Sequence, residues 1–151
     1  MENQKKVGGE ETDTYIQSGE KLPPQWTAFA KEMGIRLPAG KAVSFGDTLY
    51  WAPVEMPDLR GMKVLRPGLE LGQVRKGRFI PAHALALWLK CAKTTQSYGA
   101  DSREIAAYLH GDVVPSTKTG WCLVQVDGYA IGWGKGDGTV LKNHYPKGLR
   151  R

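Results

Sequence analysis

Apolar residues follow helical spacing in three stretches of the chain, and each of these stretches predicts a helix. PQWTAFAKEMG (24–34) places its apolar residues on one helical face, with proline at the start and glycine after the end. HALALWLK (83–90) consists largely of leucine and alanine, which favours a short buried helix. SREIAAYLHG (102–111) opens on an N-cap serine and closes on a glycine, which predicts a helix over 102–110.

Between these stretches the pattern changes to short runs of β-branched and aromatic residues that end at glycine. VSFGDTLYWAP (43–53), MKVLRPG (62–68) and LELGQVRKGRF (69–79) are therefore predicted as strands joined by turns. GWCLVQVDGYAIGWGK (120–135) alternates strongly around Asp127-Gly128, a strong hairpin signal. The pattern predicts an α+β protein: a small mixed α/β domain, followed by a second small, mostly antiparallel barrel or sheet.

The last twenty residues, GWGKGDGTVLKNHYPKGLRR (132–151), carry glycine at every second position at first. A phosphate-binding loop has this appearance, but it needs a helix directly after the glycines. Pro146 and Gly148 prevent a helix of useful length here. We therefore expect these glycines to form the exit of the hairpin and a turn before a final strand, beside Trp133.

Composition adds a basic charge to this picture. Hydrophobic residues make up 41% and charged residues 24%, as in soluble globular proteins, and the net charge is +6 with a pI of about 9.4. Residues 1–20 are acidic and polar, which indicates a flexible leader or linker and leaves the rest more basic than the whole. This charge favours a polyanionic partner, although a basic surface can also simply maintain solubility.

The chain shows no signal for export or for a membrane. AHALALWL (82–89) is its longest apolar run and is too short to span a bilayer, and the N-terminus has no apolar segment of a signal peptide. With two cysteines and no CxxC spacing, we expect a reduced, cytoplasmic setting without disulfides or zinc.

Candidate chemical groups are few. Cys122 lies inside a predicted strand and is expected to be a small buried hydrophobe, and Cys91 is expected to be an ordinary thiol near the surface. The three histidines share no metal-ligand spacing, and His83 and His110 suit structural positions at helix ends. His144 differs, because it lies in KNHYPKGLRR among residues that contact bases and phosphates, with a solvated tail as the alternative.

Two segments are rich in the basic and polar residues that bind nucleic acid. VRKGRF (74–79) predicts a charged turn between strands, and the C-terminal segment combines lysine and arginine with Asn143, His144 and Tyr145. In a shared surface, the cations would attract phosphate and these three would supply shape or base contacts. The candidate RNA-binding residues are Arg66, Arg75, Lys76, Arg78, Lys135, Lys142, Asn143, His144, Tyr145, Lys147, Arg150 and Arg151.

The stretches VLRPGLELGQVRKGRFIPAHALAL (64–87) and GWCLVQVDGYAIGWGKGDGTVLKNHYPKGLRR (120–151) resemble the C-terminal region of bacterial RsmF-type, Sun-related rRNA methyltransferases. SREIAAYLHGDVV (102–114) resembles the helix, glycine and following strand of a PUA domain. The resemblance spans about residues 22–151. It implies a first C-terminal α+β domain over 21–87 and a PUA-like RNA-binding β-barrel over 88–151, which follow the leader or linker that composition indicates over 1–20.

Family members methylate carbon 5 of cytosine in small-subunit rRNA with S-adenosylmethionine, and this chain lacks the cofactor loop and the Pro-Cys motif of their catalytic domain. The resemblance therefore implies a non-catalytic module for ribosome biogenesis, without a cofactor or metal of its own, that positions rRNA for a catalytic domain supplied in cis or in trans. A protein-interaction module that docks a catalytic subunit or a ribosomal protein is the alternative. An intact enzyme is the least favoured interpretation, because no catalytic constellation is present.

Overall fold

Short helices lie among runs of mostly antiparallel strands, which gives the α+β fold that the sequence predicts. The structure is a computed structural model that describes residues 22–53 and 68–151. The predictions for residues 1–20, for most of MKVLRPG (62–68) and for Arg66 lie outside these residues. The elements are α1 (Pro24–Met33), β1 (Gly40–Phe45), β2 (Thr48–Pro53), β3 (Leu69–Arg75), β4 (Arg78–Pro81), α2 (His83–Trp88), β5 (Thr95–Tyr98), α3 (Arg103–His110), β6 (Val114–Pro115), β7 (Thr119–Val126), β8 (Tyr129–Asp137) and β9 (Val140–Asn143), followed by a 3-10 turn (Lys147–Leu149).

The described residues divide into two compact units. The first contains those up to Lys31 and from Ile35 to Ala84; the second contains Glu32–Gly34 and Leu85–Arg151. Each unit has its own sheet, in the order β1-β2-β3-β4 in the first and β5-β7-β8-β9-β6 in the second.

The first unit packs α1 on an antiparallel sheet. The helix begins at Pro24, and Gly34 follows it with φ 74°, so both the predicted start and the predicted end are confirmed. Trp26 and Phe29 are buried and meet Phe79 of β4 with ring centroids 5.4 Å and 4.9 Å apart. These edge-on and tilted aromatic contacts attach the helix to the sheet.

In the second unit, α3 has the two caps that its sequence predicts. The hydroxyl of Ser102 accepts a hydrogen bond from the Ile105 N–H at 3.2 Å. Gly111 takes a left-handed conformation with φ 108°, and its N–H donates to the carbonyls of Ala107 and Tyr108. Because α3 has fixed ends, its buried face is held in one orientation toward the sheet.

The strand β7 lies in the interior of the second sheet, parallel to β5 and antiparallel to β8. Cys122 and Val124 point into a core cluster with Ile105 and Tyr108 of α3. The other face is buried as well, because all residues from Trp121 to Gln125 are buried. The predicted alternation is thus confirmed, but both of its faces are covered.

The glycine run differs from its prediction. Gly132, Gly134 and Gly136 lie inside β8, and only Gly138, with φ 97°, forms the turn before β9. The three strand glycines share the face of Cys122, since Gly134 is the cross-strand partner of Cys122. A Cβ added at Gly132 would collide with the Tyr108 hydroxyl, so the glycines are required by the close approach of neighbouring groups rather than by a turn.

A one-residue bulge in β8 decides which side chains share that face. Gln125 pairs with Ala130, but Val124 pairs with Gly132, so Ile131 is left over. The shift continues along the hairpin and pairs Trp121 with Lys135. Because successive strand residues point to opposite faces, the bulge moves the glycines to the core face and Lys135 to the opposite one.

Candidate nucleic-acid interface

The predicted basic turn of the first unit is present between β3 and β4. Arg75 and Arg78 are cross-strand partners, and Lys76 and Gly77 form the two-residue turn between them with φ 51° and 76°. All four residues are exposed. Two like charges directly opposite each other weaken a strand pair, so this turn concentrates positive charge at a cost that a bound anion would relieve.

A second like-charged pair lies in the second unit. Lys135 of β8 is the cross-strand partner of Lys142 of β9 and of Trp121 of β7, so the three residues form a row across the sheet. The ammonium group of Lys135 lies over the Trp121 ring, 5.0 Å from its centroid, a cation–π contact. Among the described residues, no carboxylate forms an ion pair with either lysine.

His144 joins this row directly after β9. Its backbone N–H donates to the Trp133 carbonyl at 3.3 Å, and its ring meets the Trp121 ring edge-on with centroids 4.6 Å apart. His144 is nevertheless an exposed residue. Trp121, Lys135, Lys142 and His144 together are called the Trp121 surface below.

The environment of His144 disfavours its protonated form. Loss of water at the packed ring is the largest cause that lowers its pKa below the usual value, followed by the positive charges of Lys135, Arg150 and Lys142. The neutral imidazole is thus favoured in the free protein, and it presents an aromatic edge and hydrogen-bonding nitrogens beside two cations.

The side-chain amide of Asn143 makes four hydrogen bonds within the protein. Its side-chain NH₂ donates to the Tyr108 carbonyl at 2.8 Å and to the Asp112 carbonyl at 2.9 Å. Its side-chain oxygen accepts from the Tyr145 N–H at 2.9 Å and from the guanidinium of Arg150 at 3.3 Å. The amide thus ties the C-terminal segment to the end of α3, and base contacts by Asn143 stay a prediction.

The terminal arginines extend this attachment. Arg150 donates from Nε to the Tyr145 carbonyl at 3.1 Å, and its side chain crosses Gly111, where a Cβ would lie 2.7 Å from Arg150 Cδ. The Arg151 N–H donates to the Leu109 carbonyl at 2.9 Å. A cation and an N–H donor at a helix C-terminus complement its partial negative charge, so this segment is a folded cap of α3 rather than a solvated tail.

The remaining candidates divide between core and surface. Tyr145 is half-buried and packs on Tyr108 with ring centroids 5.3 Å apart, so it belongs largely to the core. Lys147 is exposed on the 3-10 turn. The structure thus brings Lys135, Lys142 and His144 into one surface and assigns the neighbouring polar residues to the support of α3.

Trp121 is the member of this surface that the sequence prediction missed. It is mostly buried, with 9% of its surface exposed. Its pairing with Lys135 depends on the bulge at Ile131, for which the sequence offers no signal. Alternating hydrophobicity around Asp127-Gly128 predicts the hairpin but pairs Trp121 with Gly134.

The two cysteines are placed as the sequence predicts. Cys122 is fully buried, and burial raises its pKa to about 11, whereas Cys91 is exposed. No cluster of histidine, cysteine, aspartate or glutamate suited to a metal ion occurs in residues 22–53 and 68–151. Within the same residues, no helix is long and apolar enough to cross a membrane.

Comparison with known protein families is consistent with this division into two units. Residues 28–89 match the RsmF rRNA methyltransferase first C-terminal domain, and residues 95–151 match the methyltransferase RsmF PUA domain. The chain belongs to the RsmF family. The matched regions are adjacent and cover most of the chain, so it corresponds to the C-terminal, non-catalytic region of RsmF-type methyltransferases.

The family assigns each basic cluster to a domain. The turn between β3 and β4 lies in the RsmF first C-terminal domain, and the Trp121 surface lies in the RsmF PUA domain. The resemblance that the sequence motifs indicated is therefore confirmed, as is the α+β fold with a PUA domain at its C-terminal end.

Proposed function

We propose that this chain is an RNA-binding module that positions ribosomal RNA for an S-adenosylmethionine-dependent cytosine-5 rRNA methyltransferase. The observation that carries the proposal is the row of Trp121, Lys135 and Lys142 in a domain that matches the RsmF PUA domain. Two lysines held side by side without a carboxylate partner among the described residues favour a polyanion. The chain itself takes no cofactor in this proposal and acts in the cytoplasm in ribosome biogenesis.

The mechanism is attraction of phosphates followed by alignment of the RNA. Lysine and arginine side chains neutralise phosphates and fix the register of the nucleic acid without reading its sequence. Aromatic and imidazole edges then supply contacts to unpaired nucleotides, which are the usual targets of sequence-specific RNA recognition. The methyl transfer is performed by a catalytic domain present in cis or in trans.

Fluorescence anisotropy with a labelled single-stranded oligoribonucleotide, repeated over a series of KCl concentrations, tests RNA binding. We expect the logarithm of the association constant to fall linearly with the logarithm of the salt concentration. The double variant Lys135→Ala/Lys142→Ala should make the slope shallower by roughly 1.4, since each phosphate contact contributes about 0.7 on single strands. A flat salt dependence, or an unchanged slope in this variant, contradicts the proposal.

Lys90→Ala/Arg103→Ala is the matched control. Both residues are exposed in the second unit, and neither is among the candidate RNA contacts. The control removes the same net charge from other positions. Equal losses in both variants would indicate general attraction by the basic protein rather than binding at the Trp121 surface.

The positioning role needs a separate measurement. Methyl transfer to small-subunit rRNA by a cognate catalytic domain should show a higher KM for RNA, with kcat unchanged, when Lys135 and Lys142 are alanine. No turnover is expected from this chain alone. Methyl transfer by the chain alone, or a KM that ignores the lysines, would refute this part of the proposal.

A protein-docking function is the second candidate, and one observation favours it. Leu87 and Trp88 are consecutive in the short helix α2, and 57% and 43% of their surfaces are exposed. Neighbouring exposed apolar side chains are typical of surfaces that contact other proteins. Leu87→Ser/Trp88→Ser should then weaken association with the catalytic domain, measured by calorimetry, and leave RNA affinity unchanged.

A further inference from the structure

The Trp121 surface brings two lysines of the second sheet together with the histidine that follows β9 and with the indole ring of Trp121. Lys135 reaches over the Trp121 ring at 5.0 Å, and His144 meets the same ring at 4.6 Å between centroids. Lys142 stands beside Lys135 as its cross-strand partner. The indole ring thus fixes the positions of one cation and one imidazole, and the strand pairing fixes the other cation.

The acidic group nearest to these residues in the sheet is already engaged. Asp137 ends β8 and interacts electrostatically with Lys142, but its carboxylate accepts hydrogen bonds from the N–H groups of Thr139 and Val140 at 2.9 Å and 3.0 Å. It holds the turn into β9 and forms no ion pair with Lys142 among the described residues. The positive charge of the surface is therefore only partly balanced within the protein.

The charged groups around His144 show the same excess of positive charge. The charges that face it are Lys135 from β8, Lys142 from β9 and Arg150 from the C-terminal segment, and all three are positive. The uncharged ring of Trp121 contacts the imidazole edge-on. An anion that lies between the lysines and the imidazole would reverse this balance, because it favours the protonated ring.

We propose that the Trp121 surface binds a phosphodiester group of RNA between Lys135, Lys142 and His144, and that His144 takes up one proton from solvent when the RNA binds. This inference rests on the proposed RNA-binding function and names the subsite and its response to pH. The free protein favours the neutral imidazole, since loss of water at the ring packed on the indole and the neighbouring cations lower its pKa. Bound phosphate removes the electrostatic part of that penalty, and by linkage the affinity for RNA rises as the pH falls.

His110 provides an internal comparison. It is also a histidine of the second unit, but 67% of its side chain is exposed and its ring lies 3.3 Å from the carboxylate of Asp112. An anion gains little beside a histidine that already faces a carboxylate. Substitution of His110 should therefore leave the pH dependence of RNA binding unchanged.

The experiment uses the full 151-residue chain and the oligoribonucleotide r(U)6 as the probe. NMR follows the His144 ring proton from pH 5 to 8, first without RNA, then with saturating r(U)6, and then with inorganic phosphate at the same phosphate concentration. Anisotropy measures r(U)6 affinity at each pH for the wild type, His144→Phe and His110→Phe. Phenylalanine keeps an aromatic ring against Trp121 but cannot titrate, so His144→Phe separates protonation from packing.

We expect the titration midpoint of His144 to move to higher pH with r(U)6 but not with inorganic phosphate. The affinity of the wild type and of His110→Phe should rise by up to about tenfold per pH unit below pH 7, the limit for one coupled proton. His144→Phe should lose most of this dependence while it still binds RNA with a salt slope.

Three results would overturn the inference. If r(U)6 binds with a salt slope but the His144 midpoint does not move, or if His144→Phe keeps the pH dependence, the subsite is wrong and the proposed RNA-binding function stands. If inorganic phosphate shifts the midpoint as far as r(U)6 does, the surface is a site for free anions rather than for RNA. If r(U)6 and longer rRNA fragments fail to bind at all, the subsite and the proposed function both fail.

Discussion

The close approach of α3 to β8 makes Gly132 a position where one added methyl group should destabilise the second unit. Tyr108 is buried, and its hydroxyl donates to the Trp133 carbonyl at 2.8 Å. A Cβ at position 132 would occupy the space of that hydroxyl, and it would also lie 3.3 Å from Tyr108 Cζ and 3.4 Å from Tyr145. Gly132→Ala therefore has to displace the tyrosine ring.

Two effects should lower the free energy of unfolding in Gly132→Ala. A buried hydroxyl that loses its partner costs about 1–3 kcal/mol, and over-packing of a closely packed core costs about 1–3 kcal/mol. Displacement of the ring breaks the hydrogen bond and leaves part of the crowding in place, so we expect Gly132→Ala to lower the free energy of unfolding of the second unit by roughly 2–4 kcal/mol. Tyr108→Phe removes only the hydrogen bond and should cost about 1 kcal/mol.

A double-mutant cycle isolates the contact between the two positions. In the Tyr108→Phe background the hydroxyl that opposes the new methyl group is gone, so Gly132→Ala should cost about 1–2 kcal/mol less than in the wild type. Urea unfolding followed through the amide resonances of β7 and β8 reports on the second unit alone. Gly99→Ala is the control, because a Cβ there meets nothing within 4 Å.

The interpretation of the glycines fails if Gly132→Ala unfolds at the same urea concentration as the wild type. It also fails if the cost of Gly132→Ala is the same in both backgrounds, since the hydroxyl would then not be the opposing group. Either result would mean that β8 tolerates a side chain at this position and that glycine is not required by the packing of Tyr108.

Three further predictions concern the support of this unit. Asn143→Ala removes two hydrogen bonds to carbonyls at the end of α3 and should lower the unfolding free energy by about 2–4 kcal/mol. Hydrogen exchange in α3 should become faster, and unchanged exchange would contradict the capping role of Asn143. Iodoacetamide at pH 8 should modify Cys91 and spare Cys122, whose burial raises its pKa to about 11, and mass spectrometry of the native protein would reveal any modification of Cys122. For the same reason Cys122 contributes stability that is complete below pH 9 and is lost as the pH rises toward 11, so Cys122→Ala should unfold with a weaker dependence on pH in that range.

Local sequence determined the helices and the tight turns of this protein. Proline and glycine at the ends of 24–34 and serine and glycine at the ends of 102–111 set α1 and α3, since capping groups act within a few residues of each other. Asp127-Gly128 set the β7–β8 turn, with φ 48° and 87°. The long closing motif was also sufficient to indicate the family that the two domain matches establish.

The sequence was least informative where one element depends on another across the fold. Asn143 has the residue type of a base contact, yet its amide is used on the carbonyls of Tyr108 and Asp112. The alternating glycines resemble a phosphate loop or a turn, yet Gly132 is required by a tyrosine more than twenty residues earlier. Neither partner lies nearby in the chain, so no local spacing could identify it.

The bulge at Ile131 shows most clearly what tertiary structure decided. Alternation and the turn fix a hairpin, and a regular hairpin would place Lys135 on the face of Cys122. Packing of Tyr108 requires glycines on that face, and one extra residue in β8 supplies them. The sequence by itself thus determined that β7 and β8 pair, whereas the contact with α3 decided their register. A strand has only two faces, and a shift of one residue exchanges them. The register therefore also decided that Trp121, Lys135, Lys142 and His144 lie on one surface.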